Sequence, residues 1–243
     1  MTSANQYYKE KSHIFSYDNK YFHGKSIYDD LFDENFVNNQ VKVLNKEARI
    51  LEVGSYTGRI SKKLEKHSLF FDQSDIHKQP IYKGPNTLNY FPFELHKDLP
   101  KEMSKNKYDF IISLGHQVSF TNNIEIAISN MSKLLKTNGI LMFDVWQTSS
   151  RNKLPRYEIE TGTKTKVIEI LRQNKLRVKK VFNGQTLFYS LSLYFQGIVS
   201  KYSKYAYFNK FYFLFDRYFF SKIPFLNLKS QSIIFVVIKI DDV

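Results

Sequence analysis

Two periods of apolar residues alternate along this chain, and their succession predicts a series of strands and helices. Largely apolar runs of the kind shown by a strand buried on both faces stand at Ile50, Leu51 and Val53, at Phe110, Ile111 and Ile112, and over residues 140–146 and 232–240, and residues 176–182 read as a further strand. Shorter runs over residues 69–72 and 87–93 bring the predicted strands to seven. Ile124, Ile128, Met131 and Leu135 recur at spacings of four, three and four, which puts them on one helical face. Residues 136–139, Lys-Thr-Asn-Gly, close that helix with a glycine stop, residues 59–66 and 167–174 read as further helices, and residues 76–85 form a proline-bounded connection. Strands alternating with helices predict an α/β fold, a mostly parallel sheet with helices on both faces.

The two ends of this series are different. Residues 1–24 carry Tyr7, Tyr8, His13, Phe15, Tyr17 and Tyr21 without periodicity, and residues 25–45 suit one or two helices through Ile27, Leu31, Val37, Val41 and Leu44. Residues 1–46 are therefore an N-terminal helical cap, 47–182 the core, and 232–243 the final core strand. Between the last two strands, residues 183–231 are dense in phenylalanine and tyrosine with lysines interspersed. No 18-residue run there is free of charged or polar residues, so the segment is not a membrane span. It reads as an aromatic helical insertion: a substrate lid, a dimer surface or an interfacial amphipathic patch.

Candidate chemistry centres on Arg-Ile-Leu-Glu-Val-Gly-Ser-Tyr-Thr-Gly, residues 49–58. Gly54 and Gly58 let the chain turn tightly after a buried strand, and a turn feeding a helix presents free backbone N–H groups to a nucleotide-like or carboxylate-bearing ligand. Asp72, twenty residues beyond Glu52, stands where a ribose diol would be gripped. A dinucleotide fingerprint, G-x-G-x-x-G, is absent, and Tyr56 would crowd a pyrophosphate.

The segment resembles the first motif of class I S-adenosylmethionine-dependent methyltransferases, acid-x-Gly-x-Gly-x-Gly, with Tyr56 in place of the middle glycine. Residues 134–146, Leu-Leu-Lys-Thr-Asn-Gly-Ile-Leu-Met-Phe-Asp-Val-Trp, are similar to that family's turn into its fifth strand. The resemblance covers residues 47–182 and the last strand, and implies a Rossmann-like seven-stranded sheet whose final strand is antiparallel. It also implies S-adenosylmethionine as cofactor, with Glu52, Gly54, Ser55, Tyr56 and Gly58 at the methionine end, Asp72 on the ribose hydroxyls and Gln73 beside adenine or ribose. Glu94 with Leu95, or alternatively Asn89, would sit on the adenine side. Leu114, Gly115 and His116 follow the fourth strand and would face the methyl group. There His116 is either a general base or a hydrogen-bonding partner of backbone or cofactor. Asp144 and Trp146, after the fifth strand, would meet the substrate. The Asn-Pro-Pro-Tyr type of motif used on amide or nucleobase nitrogens is absent.

Composition narrows the setting. The chain has 36 lysines and arginines against 23 acids, a formal net charge of +13, and no cysteine. Disulfides and thiolate metal sites are excluded, and His67, His77 and His96 lack ligand spacing, so no metal is expected. The N-terminus lacks the pattern of a signal peptide, and a cytoplasmic protein, free or peripheral to a membrane, is expected. The expected reaction is methyl transfer to oxygen or nitrogen of a small acceptor, bulky or lipid-linked in view of the aromatic insertion. Two alternatives stay open: an RNA methyltransferase, suggested by charge and interleaved aromatics, and a degenerate scaffold that binds a partner or a membrane surface. Oligomeric state is left open.

Overall fold

A computed structural model describes residues 35, 37–56, 58–80, 82–115, 117–121, 123–146, 164–183 and 232–241. The remainder of the N-terminal cap and nearly all of the aromatic insertion lie outside the described residues. Seven strands form one sheet: β1 (Ile50–Val53), β2 (Phe71–Asp75), β3 (Thr87–Pro92), β4 (Tyr108–Ser113), β5 (Leu135–Trp146), β6 (Leu176–Asn183) and β7 (Ser232–Lys239). Their spatial order is β3-β2-β1-β4-β5-β7-β6. The first five are parallel, and β7 runs antiparallel to both β5 and β6.

Helices α1 (Ser61–Lys66), α2 (Lys101–Ser104), α3 (Gln117–Phe120), α4 (Ile124–Leu134) and α5 (Lys164–Gln173) cover the sheet. On one face Met103, Val118, Ile128, Met131, Val167 and Leu171 pack against Leu51, Ile111, Phe143 and Phe235. On the other, Ile60 and Leu64 join Val37 and Val41, from the helical residues 37–41, against Ile50, Phe71, Phe110 and Met142. Burial on both faces is why β1 and β4 carry near-continuous apolar residues instead of an alternating pattern.

Two strand boundaries differ most from the sequence reading. β2 is shifted to Phe71–Asp75 because Gln73 and Ser74, polar residues that ended the apolar run, are fully buried within the strand. Residues 136–139 do not separate helix from strand. β5 already pairs at Leu135 with Tyr108, and a register shift carries it to Ile140 opposite Phe110. The left-handed residue of that bulge is Asn138, φ 61°. Gly139 is needed for space: a Cβ there would lie 2.8 Å from the Lys136 carbonyl oxygen and 3.0 Å from that of Tyr108. Both obstacles are backbone and cannot rotate away, so Gly139→Ala is expected to lower stability by about 2 kcal/mol in urea unfolding.

Candidate active site

After β1 the chain runs outward to β2 and β3 and then returns to β4 on the other side of β1. The carboxyl ends of β1 and β4 therefore flank a switch point, where open α/β sheets bind ligands. Both strands end in left-handed glycine turns, Gly54 at φ 74° and Gly115 at φ 100°, which a side chain would disfavour. Gly58, φ 74°, closes the first loop through its N–H to the Ser55 carbonyl at 2.7 Å. Tyr56 adopts φ 37°, so the residue in the middle-glycine position is held in the conformation that glycine would take.

What holds this loop is the end of β2. The Gly54 and Ser55 N–H groups donate to the Ser74 carbonyl at 2.8 and 3.1 Å, and the Tyr56 N–H donates to Asp75 Oδ2 at 2.9 Å. Asp75 also accepts from the His77 N–H at 3.3 Å, and His77 Nε2 lies 3.6 Å from the same carboxylate. Burial raises the Asp75 pKa, while the Tyr56 N–H and His77 oppose the rise. The Phe93 N–H donates to the Asp75 carbonyl, so β3 delivers Glu94 and Leu95 next to it. Leu95 is a core residue whose carbonyl accepts from Asn130 Nδ2 at 2.9 Å, and Glu94 lies 3.8 Å from His96 Nε2.

Asp72, expected on the ribose hydroxyls, lies away from the glycine turn. It pairs in register with Leu51, three residues and about 10 Å short of the strand's carboxyl end. Its carboxylate accepts from the Asn89 N–H and Nδ2 at 3.1 and 2.8 Å and from the Tyr108 hydroxyl at 2.8 Å. Arg49 Nη2 stands 3.7 Å away. Asp72 thus ties β2, β3, β4 and the entry to β1 together at the amino edge, beside a cleft of about 300 Å³ lined in part by Phe70 and Leu88. Asn89, bound to Asp72, is equally removed from the crevice. The residue that ends β2 is Asp75. The sign was present, a second acid three residues on, but an apolar-run criterion stops the strand too early to use it.

Glu52 and Gln73 lie under the loop. Ser61 Oγ, one turn into the segment after Gly58, donates to Glu52 Oε2, Gln73 Nε2 donates to Ser61 Oγ at 2.6 Å, and Thr87 Oγ1 donates to Gln73 Oε1 at 3.3 Å. This chain joins β1, α1, β2 and β3 behind the glycine turn. Burial pushes the Glu52 carboxyl up to about 7, against the lowering effect of the Ser61 and Gln73 bonds.

Side chains that the sequence did not single out complete the crevice. Gln117, at the start of α3, lies over Gly54: an added Cβ there would be 2.5 Å from its Cδ. A Cβ at Gly115 would be 3.3 Å from Arg59 Nη2. Ser74, Val53 and Ser113 stand at one level on three neighbouring strands, as the pairings Val53 with Ser74 and Glu52 with Ile112 require. The hydroxyls of Ser55, Ser74 and Ser113 are buried without a hydrogen-bond partner among the described residues. Leu114 is buried beside them, and His116 lies outside the described residues. Asp144 and Trp146 alternate on β5 with the core residues Phe143 and Val145, and the Trp146 N–H donates to Ser119 Oγ at 2.9 Å. A buried acid, unpartnered hydroxyls and backbone turns free of Cβ atoms fit a polar, hydroxyl-bearing nucleoside.

Comparison with known proteins agrees with this geometry. A family model described as a methyltransferase domain matches residues 25–187, about two thirds of the chain. No curated protein matches the sequence. Among solved structures, a protein provisionally described as a sarcosine dimethylglycine methyltransferase from Galdieria sulphuraria is similar, with 13% identity, 88% of this chain and 87% of that chain covered, and a TM-score of 0.57. Magnesium protoporphyrin IX methyltransferase from Synechocystis PCC 6803, with bound S-adenosylhomocysteine, has 14% identity, coverage of 88% and 84%, and a TM-score of 0.54. The (4+2)-cyclase SpnF has 13% identity, coverage of 86% and 81%, and a TM-score of 0.55. The fold by itself admits other chemistry, as that cyclase illustrates. The family match, however, runs through every strand that builds the crevice, and the chain belongs to the methyltransferase-domain family, class I enzymes whose methyl donor is S-adenosylmethionine.

Proposed function

We propose that the chain methylates an oxygen or nitrogen of a bulky, apolar or lipid-linked small molecule. The observation that carries the acceptor reading is topological. Asp144 and Trp146 end β5 on the carboxyl edge, and Trp146 is paired with Ser232, the first residue of β7. Residues 147–163 and 184–231 therefore both join the sheet at the edge that holds the glycine turns. The second of these stretches holds 16 of the chain's 40 phenylalanine, tyrosine and tryptophan residues in 48 positions. Aromatic residues so concentrated next to a site favour an acceptor with a large apolar surface.

S-adenosylmethionine supplies an activated methyl group. In this reading the chain's own residues do the rest. Asp75 holds the ribose hydroxyls, the backbone of Gly54, Ser55 and Tyr56 receives the methionine end, and Gln117 swings from Gly54 to admit it. Arg59 and the Ser113 hydroxyl line the crevice between β1 and β4. Glu94 and Leu95 flank the adenine. His116, next in the chain after Gly115, takes the proton from the acceptor's nucleophilic atom, and Asp144 and Trp146 orient the acceptor.

The test is transfer of labelled methyl from S-adenosylmethionine into a cell extract separated into organic, aqueous and RNA fractions. Label in the organic fraction is expected, with kcat lowered by roughly a hundredfold or more in His116→Asn. Label confined to aqueous small molecules or to RNA overturns the acceptor reading.

A further inference from the structure

We propose that the outer edge formed by α5 and β6 docks on an anionic phospholipid surface. β6 is the last strand of the sheet on that side, and α5 leads into it through Asn174 and Lys175. Residues 164–183 hold seven lysines and arginines against one acid, Glu169, a net charge of +6. All seven are exposed, among them Arg172, Lys175, Arg177, Lys179 and Lys180. The single acid is engaged by Arg172 at 3.0 Å.

The strand is shaped to keep these charges outside. With regular alternation, one of the consecutive residues Lys179 and Lys180 would point at the core. A register shift between Val178 and Lys180 prevents this. Val178 and Val181, three apart, both pack on the core, and Lys179 and Lys180 are both exposed. A bulge on an edge strand re-aims side chains in this way.

The occupant follows from charge and from where the chain goes next. A second copy is disfavoured, because like-charged edges repel and edge lysines block strand addition. β6 ends at the carboxyl edge, with Asn183 paired to Ile233, and the chain continues into residues 184–231. Those residues add six cations against Asp216 alone, net +5, so residues 164–231 account for +11 of the chain's +13. More than half of these 48 residues are apolar, 26 of them, against 42% for the whole chain. A nucleic acid would use cations and a few stacking rings, whereas an anionic bilayer uses both the cations and the apolar area. No helix among the described residues is long and apolar enough to cross a membrane.

Sedimentation of the full chain with vesicles tests this without methyl donor or acceptor, so its outcome is separate from that of the reaction proposed above. Binding to mixed phosphatidylcholine and phosphatidylglycerol vesicles is expected, with none to phosphatidylcholine alone and a decline as salt rises. The neutral triple variant Arg177→Gln, Lys179→Gln, Lys180→Gln, checked for unchanged melting temperature and S-adenosylmethionine affinity, is expected to bind roughly a hundredfold less tightly, at about fivefold per cation. The reversed triple variant with glutamate at the same positions should show a larger loss. Equal binding to neutral vesicles, no effect of either triple variant, or preferential binding of RNA through the same residues overturns the proposal.

Discussion

Asp75→Asn is expected to weaken S-adenosylmethionine binding by roughly a hundredfold, about 3 kcal/mol, while Asp72→Asn leaves the affinity within about threefold. Two hydrogen bonds from a ribose diol to a carboxylate are charge-assisted, at about 1.5–3 kcal/mol each, and asparagine retains only one acceptor oxygen. Asp75 is 7% exposed, at the carboxyl end of β2 and hydrogen-bonded to the very loop that turns at Gly54. Asp72 is committed to Asn89, Tyr108 and Arg49 at the other edge of the sheet. Its replacement should therefore appear as a loss of about 2 kcal/mol in unfolding, not in binding. Calorimetric titration of the two variants, with urea melts alongside, separates the roles. If Asp72→Asn loses the cofactor and Asp75→Asn keeps it, the site has been built on the wrong acid.

Glu52 is expected to make stability depend on pH below neutrality. Its folded pKa is about 7, against 4.5 in the unfolded chain, because the carboxyl is buried and the nearby Asp75 adds repulsion. Between these two values the folded state holds a proton that the unfolded state has released. Unfolding free energy therefore falls as pH rises through the window, by about 3 kcal/mol in all, and is flat from this source above it. Glu52→Gln keeps the shape and can still accept from Ser61, but carries no charge to desolvate. Its stability should change little over the same window and exceed that of the parent above pH ~7. Urea unfolding of both proteins from about pH 5 to about pH 8 measures this, and parallel curves would show that Glu52 is not the titrating group.

These two acids mark how far the amino-acid sequence can be read. Six of the seven strands begin within a residue or two of their predicted positions, and for β1, β4 and β7 the reason is that burial on both faces demands nearly continuous apolar runs that are visible without a structure. The exception is β5, which starts five residues early at Leu135 through its bulge, while β2 starts two residues late and is extended at its other end by Gln73, Ser74 and Asp75. Gln73 is satisfied inside the sheet by its bonds to Ser61 and Thr87, partners 12 and 14 residues away. No local pattern announces such partners. The same holds for Tyr108, which looks like the first residue of an apolar strand and also anchors Asp72 from 36 residues away.

The chain's own sequence determined the fold class, the position of the glycine turn and the kinship with methyltransferases, since each rests on periodicity or on backbone turns confined to adjacent residues. Only the tertiary structure decided which of two acids three residues apart faces the turn. It alone brought Gln117 over Gly54 and Arg59 toward Gly115, and showed Lys179 and Lys180 on the same exposed edge. Each of those outcomes depends on strand register and on contacts between residues distant in the chain, and register is set by the packing of the whole sheet rather than by any segment of it.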